Sequence, residues 1–286
     1  MTMQVTPLDA SFGATVEGVE LATINEDAFA ALYEVLLDYA LLIFPGQHLD
    51  NAKQTGFAKR FGILEIDLVE LSNVKEDGSL RLGDDDDMVK ILKGNMSWHH
   101  DSTYMPVQAK GAVFRAEVVP SEDGETGWAD MSAAYDALSP EMRRRIESLS
   151  AHHSLIHSQL KAGFSAKDKE DSEYFGYGLD QKGAPLRSLV KTHPETGRKT
   201  LTIGRHAHAI PGLSETESEG LLDELLNFAC QPPRIYHHSW TPGDVVLWDN
   251  RCLMHQSRPW DMSQRRIMFH SRLAGDPVSE GGAKAA

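Results

Sequence analysis

Cysteine is nearly absent from this chain of 286 residues. Only Cys230 and Cys252 occur, and neither belongs to a CxxC pair. A disulfide scaffold is thereby excluded. Positive charge is also scarce: 28 Lys and Arg face 42 Asp and Glu, for a formal net charge of −14. Without a basic stripe to release phosphate counterions, nucleic acid is not an expected partner. No apolar run approaches the length of a membrane helix, so no membrane partner is expected. The N-terminus has no basic flank ahead of an apolar run, which argues against a signal peptide. A reducing, cytoplasmic setting fits these absences. The glycine pattern of a dinucleotide fold is missing, as is a Walker-type phosphate loop.

What is present is ordinary for a globular enzyme: 41% hydrophobic and 8% aromatic residues. The length suffices for a sizeable core and is read as one domain over residues 1–286. Apolar spacing predicts helices over 28–42 and 51–61, with a short buried strand at 40–44 and a further strand over 13–21. The stretch 63–93 is irregular and charged, and a mobile loop is expected around 66–93. Asp84 to Asp87 lack the spacing of a calcium loop and read as solvated. Residues 98–101 and 111–119 suggest strands, and 130–138 and 141–149 suggest helices, with Ser139-Pro140 at the boundary. The polar stretch 163–182 has no clear assignment. Ser214 and Glu217 form a capping-box pattern ahead of a helix running to about Ala229.

Pro242-Gly243 marks a turn into a strand over 244–249, and 265–273 alternates as a strand. On the latter, Arg266, Met268, His270 and Arg272 share one face, and Ile267 and Phe269 share the other. The tail beyond Gly275 is expected to fray. Short strands with inserted helices predict a mainly β protein with a double-stranded β-helix, or jelly roll.

The chemistry-bearing residues are His99, Asp101 and His255, followed by Arg266. On extended backbone, residues i and i+2 point to one side, so His99 and Asp101 can converge on a single ion. Two imidazoles and one carboxylate that leave other positions open suit a catalytic non-haem Fe(II) centre. Arginine then offers a fixed fork for a carboxylate. His206 and His208 make an alternative His-x-His pair, but they lack a comparably spaced third ligand. They are ranked as groups around the pocket.

The chain also resembles the taurine and 2,4-dichlorophenoxyacetate dioxygenase family, from about residue 6 to residue 274. The resemblance rests on Trp98-His99-His100-Asp101-Ser102-Thr103, Asp130-Met131, Trp248-Asp249-Asn250-Arg251 and Arg265-Arg266. Residues 204–212 and Trp260 further resemble the branch acting on (S)-phenoxypropionates and phenoxyacetates. The resemblance implies an iron(II)/2-oxoglutarate-dependent dioxygenase with a double-stranded β-helix and O2 as cosubstrate. It implies His99, Asp101 and His255 as metal ligands, and Thr126 and Arg266 on the distal carboxylate of 2-oxoglutarate. His100, between two ligands, is expected to point away from iron.

On this reading the substrate is a small anionic, aromatic molecule, an aryloxyalkanoate cleaved to a phenol and a 2-oxo acid or glyoxylate, with succinate and CO2. Arg272 and His270 are the expected contacts of the substrate carboxylate, with Asn95 at the entrance. The taurine enzyme uses an arginine where this chain has His270, which disfavours taurine. Tyr104, Met105 and Trp260 supply possible apolar surfaces, whereas the strand parity of Phe269 assigns it to packing. The alternatives are a hydroxylating dioxygenase for another small carboxylate or sulfonate, a zinc hydrolase, and a noncatalytic jelly-roll binding protein. A homo-oligomer is left open.

Overall fold

The structure, a computed structural model, describes residues 3–83, 86–164 and 184–282. Near the N-terminus, Asn25 accepts a hydrogen bond from Ala28 N and caps α1 (Glu26–Tyr39). Ala40 ends that helix at φ 61° and turns the chain into β3 (Leu41–Phe44), a strand buried at every position. Asp50 caps α2 (Asn51–Lys59) in the same way as Asn25 caps α1.

A seven-stranded sheet forms the larger wall. Its order is β1 (Gln4–Pro7), β2 (Ala14–Glu17), β3, β13 (Val245–Asp249), β5 (Gly111–Val118), β15 (Ile267–Leu273) and β4 (Leu64–Ser72). Only the β2–β3 pairing is parallel. The facing wall is a three-stranded sheet of β12 (Ile235–His238), β6 (Thr126–Asp130) and β14 (Leu253–Ser257). Trp128 of β6 meets Trp248 of β13 across the gap, with ring centroids 5.9 Å apart and both side chains buried. Such aromatic pairs add roughly 0.5–1.5 kcal/mol beyond the area they bury. This is the interior of a jelly roll, and the expected fold is the one observed.

The remaining elements buttress the smaller wall. β11 (Ala207–His208), β7 (Ser150–His153) and β8 (Leu186–Ser188) form one sheet, and β9 (Val190–Thr192) pairs β10 (Lys199–Leu201). α4 (Met131–Ala137) and α7 (Glu215–Ala229) pack with them into a second core around Met131, Ile146 and Leu225. The capping box of Ser214 and Glu217 is present. α5 (Pro140–Ile146) starts at the Ser139 cap, and α6 (Leu155–Lys161) starts at Ser154.

Three sequence expectations are corrected. The stretch read as irregular holds β4 and α3 (Asp87–Gly94). Its apolar parity switches from Leu64, Ile66 and Leu68 to Val69 and Leu71. Pairing with β15 shifts at that point, because Ile66 lies opposite Arg272 but Val69 lies opposite His270. One inserted residue makes a bulge and breaks the period-two signal. Asp86 is a helix cap that accepts hydrogen bonds from Met88 N and Val89 N. Asp84 and Asp85 lie outside the described residues.

Residues 98–101 form no strand; His99 alone makes a β-bridge, and a turn follows. The tail expected to fray carries α8 (Pro277–Glu280), whose buried Glu280 pairs with Lys191 at 2.5 Å. Of the polar stretch 163–182, residues 165–182 lie outside the described residues, as do 283–286. No helix among the described residues is long and apolar enough to cross a membrane.

His153 of β7 is fully buried, and neither ring nitrogen has a hydrogen-bond partner. Burial therefore pushes its pKa well down. Below the unfolded value of about 6.5 the unfolded chain takes up a proton that the fold refuses. Stability is then lost as pH falls toward the folded value, by about 1.4 kcal/mol per pH unit for each such group. His153→Phe is expected to remove one proton from that acid limb. Denaturant unfolding between pH 4.5 and 7 reads the slope, and an unchanged slope overturns the assignment.

Candidate active site

The site begins with a backbone contact between two distant segments. His99 N donates to His255 O at 3.0 Å, and His255 N donates to His99 O at 2.8 Å. The two rings are thereby brought to centroids 4.3 Å apart. Beyond His99 the chain turns and is caught by Asn250. Its Oδ1 accepts from Asp101 N at 2.8 Å, and its Nδ2 donates to Asp101 O at 3.0 Å. The carboxylate is returned to the imidazoles, and the ligand atoms of His99, Asp101 and His255 all lie within 4.8 Å of one another.

His99 Nδ1 is engaged by Ser97 O at 2.7 Å, which leaves Nε2 for a metal. Burial lowers the pKa of both His99 and His255, so each ring is neutral with a lone pair available. Burial alone would raise the carboxyl of Asp101. Arg272, His255, His270 and His99 outweigh that effect and hold it well below the usual range. Asp101 Oδ2 is buried with no hydrogen-bond partner, 3.8 Å from His255 Nε2. An orphaned carboxylate oxygen between two neutral imidazoles fits a divalent cation.

A second cluster of His193, Asp249 and Cys252 also lies within that range. Its chemistry differs. Asp249 accepts hydrogen bonds from Arg251 Nε at 2.8 Å and from His193 Nε2 at 3.0 Å, so its charge is already neutralised. This pair braces the turn that presents Asn250.

Arg266 stands at the start of β15, with Nε and Nη2 buried and unpartnered. Burial lowers its pKa to about 10, so it remains cationic at neutral pH. Its guanidinium lies 5.0 Å from the Trp260 ring, and its backbone N donates to Asn73 Oδ1 at 2.8 Å. Thr126, the first residue of β6, lines the same cavity. Its Oγ1 accepts from Trp240 Nε1 at 2.9 Å, which leaves the hydroxyl proton to donate elsewhere. Trp240 and Asn73 had not been picked out by the sequence. An unpaired buried guanidinium beside a donor hydroxyl fits a carboxylate.

These groups open into a cavity of about 460 Å³. Its outer wall is apolar and comes from β4 and α3, including Ile66, Leu71, Met88, Ile91 and Leu92. Asn95 lines it as expected, and its carbonyl accepts from Ser257 N. His270 also lines it. Burial takes the ring down to about 3, and the ring lies parallel to Trp248 with Nε2 3.5 Å from Asp101 Oδ2. Arg272 reaches Asp101 Oδ1 at 3.1 Å and Ser102 Oγ at 3.2 Å. Both expected substrate contacts therefore face the metal carboxylate.

Arg205, part of the 204–212 motif but given no role from the sequence, lines the cavity and makes no ion pair among the described residues. Burial lowers its pKa to about 10. His206 lines the wall beside it, with Nδ1 2.9 Å from Ser158 Oγ, whereas His208 stacks on His157 elsewhere. The alternative His-x-His pair is thus split. His100 turns to the Asn250 carbonyl at 2.8 Å. Phe269 packs under Arg115, as its parity required. Met105 is not on the cavity wall; its carbonyl receives Arg187.

Two neutral imidazoles and one carboxylate oxygen, held inside a jelly roll with further positions open, define a non-haem iron(II) oxygenase. A family profile described as "Taurine catabolism dioxygenase TauD, TfdA family" matches residues 4–271. An (S)-phenoxypropionate/alpha-ketoglutarate-dioxygenase of Sphingobium herbicidovorans is 64% identical over 277 residues, 96% of each chain. An alpha-ketoglutarate-dependent 2,4-dichlorophenoxyacetate dioxygenase of Cupriavidus pinatubonensis is 35% identical, covering 97% of this chain and all of the relative. The crystal structure of AAD-2 in complex with Mn(II) and N-oxalylglycine superposes with a TM-score of 0.89 at 35% identity over the whole of both chains. The chain belongs to the taurine catabolism dioxygenase TauD, TfdA family, and it is an iron(II)/2-oxoglutarate-dependent dioxygenase.

Proposed function

We propose that this dioxygenase cleaves aryloxyalkanoates, such as (S)-2-phenoxypropionates or phenoxyacetates. With 2-oxoglutarate and O2, the products are a phenol, a 2-oxo acid or glyoxylate, succinate and CO2. The observation that carries this reading is a pair of guanidiniums on one cavity wall, Arg266 and Arg205, neither with an ion-pair partner among the described residues. Two anions are to be bound, the cosubstrate and the substrate, and each cation suits one carboxylate. The apolar wall of β4 and α3 suits an aromatic ring. The 64% identical relative carries the name of an (S)-phenoxypropionate dioxygenase, and the 35% identical one that of a 2,4-dichlorophenoxyacetate dioxygenase.

In this reading His99, Asp101 and His255 hold iron, and Arg266 with Thr126 holds the distal carboxylate of 2-oxoglutarate. Bound iron, with 2-oxoglutarate and O2, supplies the oxidising power. Arg205 anchors the substrate carboxylate, a role for which Arg272 is less suited because it is committed to Asp101 and Ser102. Asn95 and His270 border the reacting end. Ile91, Leu92 and Leu71 enclose the ring and exclude water. Hydroxylation at the carbon bearing the ether oxygen gives a hemiacetal or hemiketal, and its collapse expels the phenol. No protein base is required to break the C–H bond.

The test is a panel of aryloxypropionate enantiomers, aryloxyacetates and small sulfonates, with phenol and succinate both quantified. Coupled phenol release above the substrate-free background is expected from an aryloxyalkanoate; its absence across the panel overturns the assignment. Arg205→Met should raise the substrate KM about 10–100-fold, the worth of a charge-assisted hydrogen bond. The KM for 2-oxoglutarate should stay nearly constant. Equal rises in both would remove Arg205 from the substrate end.

A further inference from the structure

We propose that Arg272 is a positioning residue that makes Asp101 a one-oxygen metal ligand; the proposal rests on the iron reading above. A carboxylate can grip a cation through one oxygen or two. Asp101 presents unequal oxygens: Oδ1 is held by Arg272 Nη2 at 3.1 Å, whereas Oδ2 is buried and unpartnered. It is Oδ2 that faces the imidazoles, 3.8 Å from His255 Nε2 and 3.5 Å from His270 Nε2.

The hold on Oδ1 is built from more than one residue. Arg272 Nη1 donates to Ser102 Oγ at 3.2 Å, and that hydroxyl donates to the carboxylate of Glu65 at 2.9 Å. Ser102 adopts φ 59°, the left-handed turn that brings its side chain under the guanidinium. Arg272 thus lies between two acidic side chains and is fixed by strand pairing opposite Ala112 and Ile66. A planar fork can reach Asp101 and Ser102 together, which a lysine ammonium on a flexible stem does less well.

The consequence concerns coordination number. Three protein ligands leave three octahedral positions. Were the cosubstrate to take two of these and O2 one, a chelating Asp101 would remove the place for O2. By holding Oδ1 in an ion pair, Arg272 keeps that position available.

The experiment counts waters on Mn(II) bound to the full chain, from line broadening of its electron paramagnetic resonance in ¹⁷O-water, without turnover. Wild type should carry about three waters and, with 2-oxoglutarate, about one. Arg272→Met should carry about one fewer in each state, with kcat reduced and substrate KM little changed. Arg272→Lys, which keeps a cation and a donor, should recover the wild-type count, and thermal melts verify folding. Three waters in Arg272→Met, with substrate KM raised and kcat kept, overturns the proposal and returns Arg272 to the substrate end. If Arg272→Met does not fold, Arg272→Gln, whose short neutral amide gives up the ion pair to Oδ1, decides: about one water fewer than wild type with kcat reduced supports the clamp, and an unchanged water count overturns it. Failure of wild type to bind Mn(II) sinks the iron reading itself, a result distinct from failure of the clamp.

Discussion

Asp101→Ala is expected to lose coupled turnover entirely and to release iron. The loss should exceed the roughly 10–100-fold that removal of an outer partner of a metal site costs, because a direct ligand is removed. His99 and His255 remain docked through their backbone bridge, but two imidazoles alone make a weak ferrous site. The substitution also takes from buried Arg272 the nearer of its two acidic neighbours, leaving Glu65 beyond Ser102. A melting curve must therefore accompany the iron assay. Asp101→Ala and Asp101→Asn both keep the backbone tie to Asn250, and Asp101→Asn also keeps the shape of the side chain and an amide oxygen facing Arg272, so it removes the charge with less disturbance of the packing. Both variants should be folded, iron-poor and inactive. Iron occupancy at the wild-type level with product formation in either would rule out Asp101 as a ligand.

Much of the fold could be read locally where a single period governs a segment. α1, α2, β5, β13 and the capping box of α7 were all visible, because the helices carry their own caps and β5 and β13 are short, mostly apolar runs buried at successive positions. β15 was read to the level of side-chain direction. Met268 and His270 are buried, and Phe269 lies on the other face against Arg115. β4 was hidden by a bulge that flips its apolar parity, a feature defined by the partner strand. α3 was hidden inside an acidic run whose member Asp86 is a cap.

The iron ligands were legible because His-x-Asp and a distant His form a recognisable set. The substrate side was not, because it depends on how loops approach the metal. Gly204 illustrates this: at φ 109°, a Cβ there would stand 2.9 Å from Trp98 O and from Met254 Sδ. The chain can pass this close to His99 only with glycine, and the next residue, Arg205, is delivered to the cavity. Arg272 was correctly assigned to the face that lines the site. Its actual partner, Asp101, was decided by tertiary packing.

Arg266→Met carries the second large effect and acts on the cosubstrate. Nε and Nη2 of Arg266 are buried without hydrogen-bond partners, so the protein maintains a desolvated cation with no ion-pair partner among the described residues. That arrangement is costly in the unliganded protein and is relieved when a carboxylate arrives. Removing one side of a buried charge pair costs roughly 3–5 kcal/mol, which corresponds to about 10²- to 4 × 10³-fold in the KM for 2-oxoglutarate. The same reasoning gives a second sign: the unliganded variant should melt at a higher temperature than wild type, because methionine buries no charge. Iron binding should persist, since Arg266 does not contact the triad. Thr126→Val should produce a smaller rise in the same KM, because it removes one neutral donor and leaves Trp240 Nε1 unpaired. Titrating 2-oxoglutarate against succinate formation at saturating iron reads both variants. A KM for 2-oxoglutarate unchanged in Arg266→Met would place the cosubstrate carboxylate elsewhere, and Arg205 would then be the only remaining unpaired guanidinium on the cavity wall among the described residues.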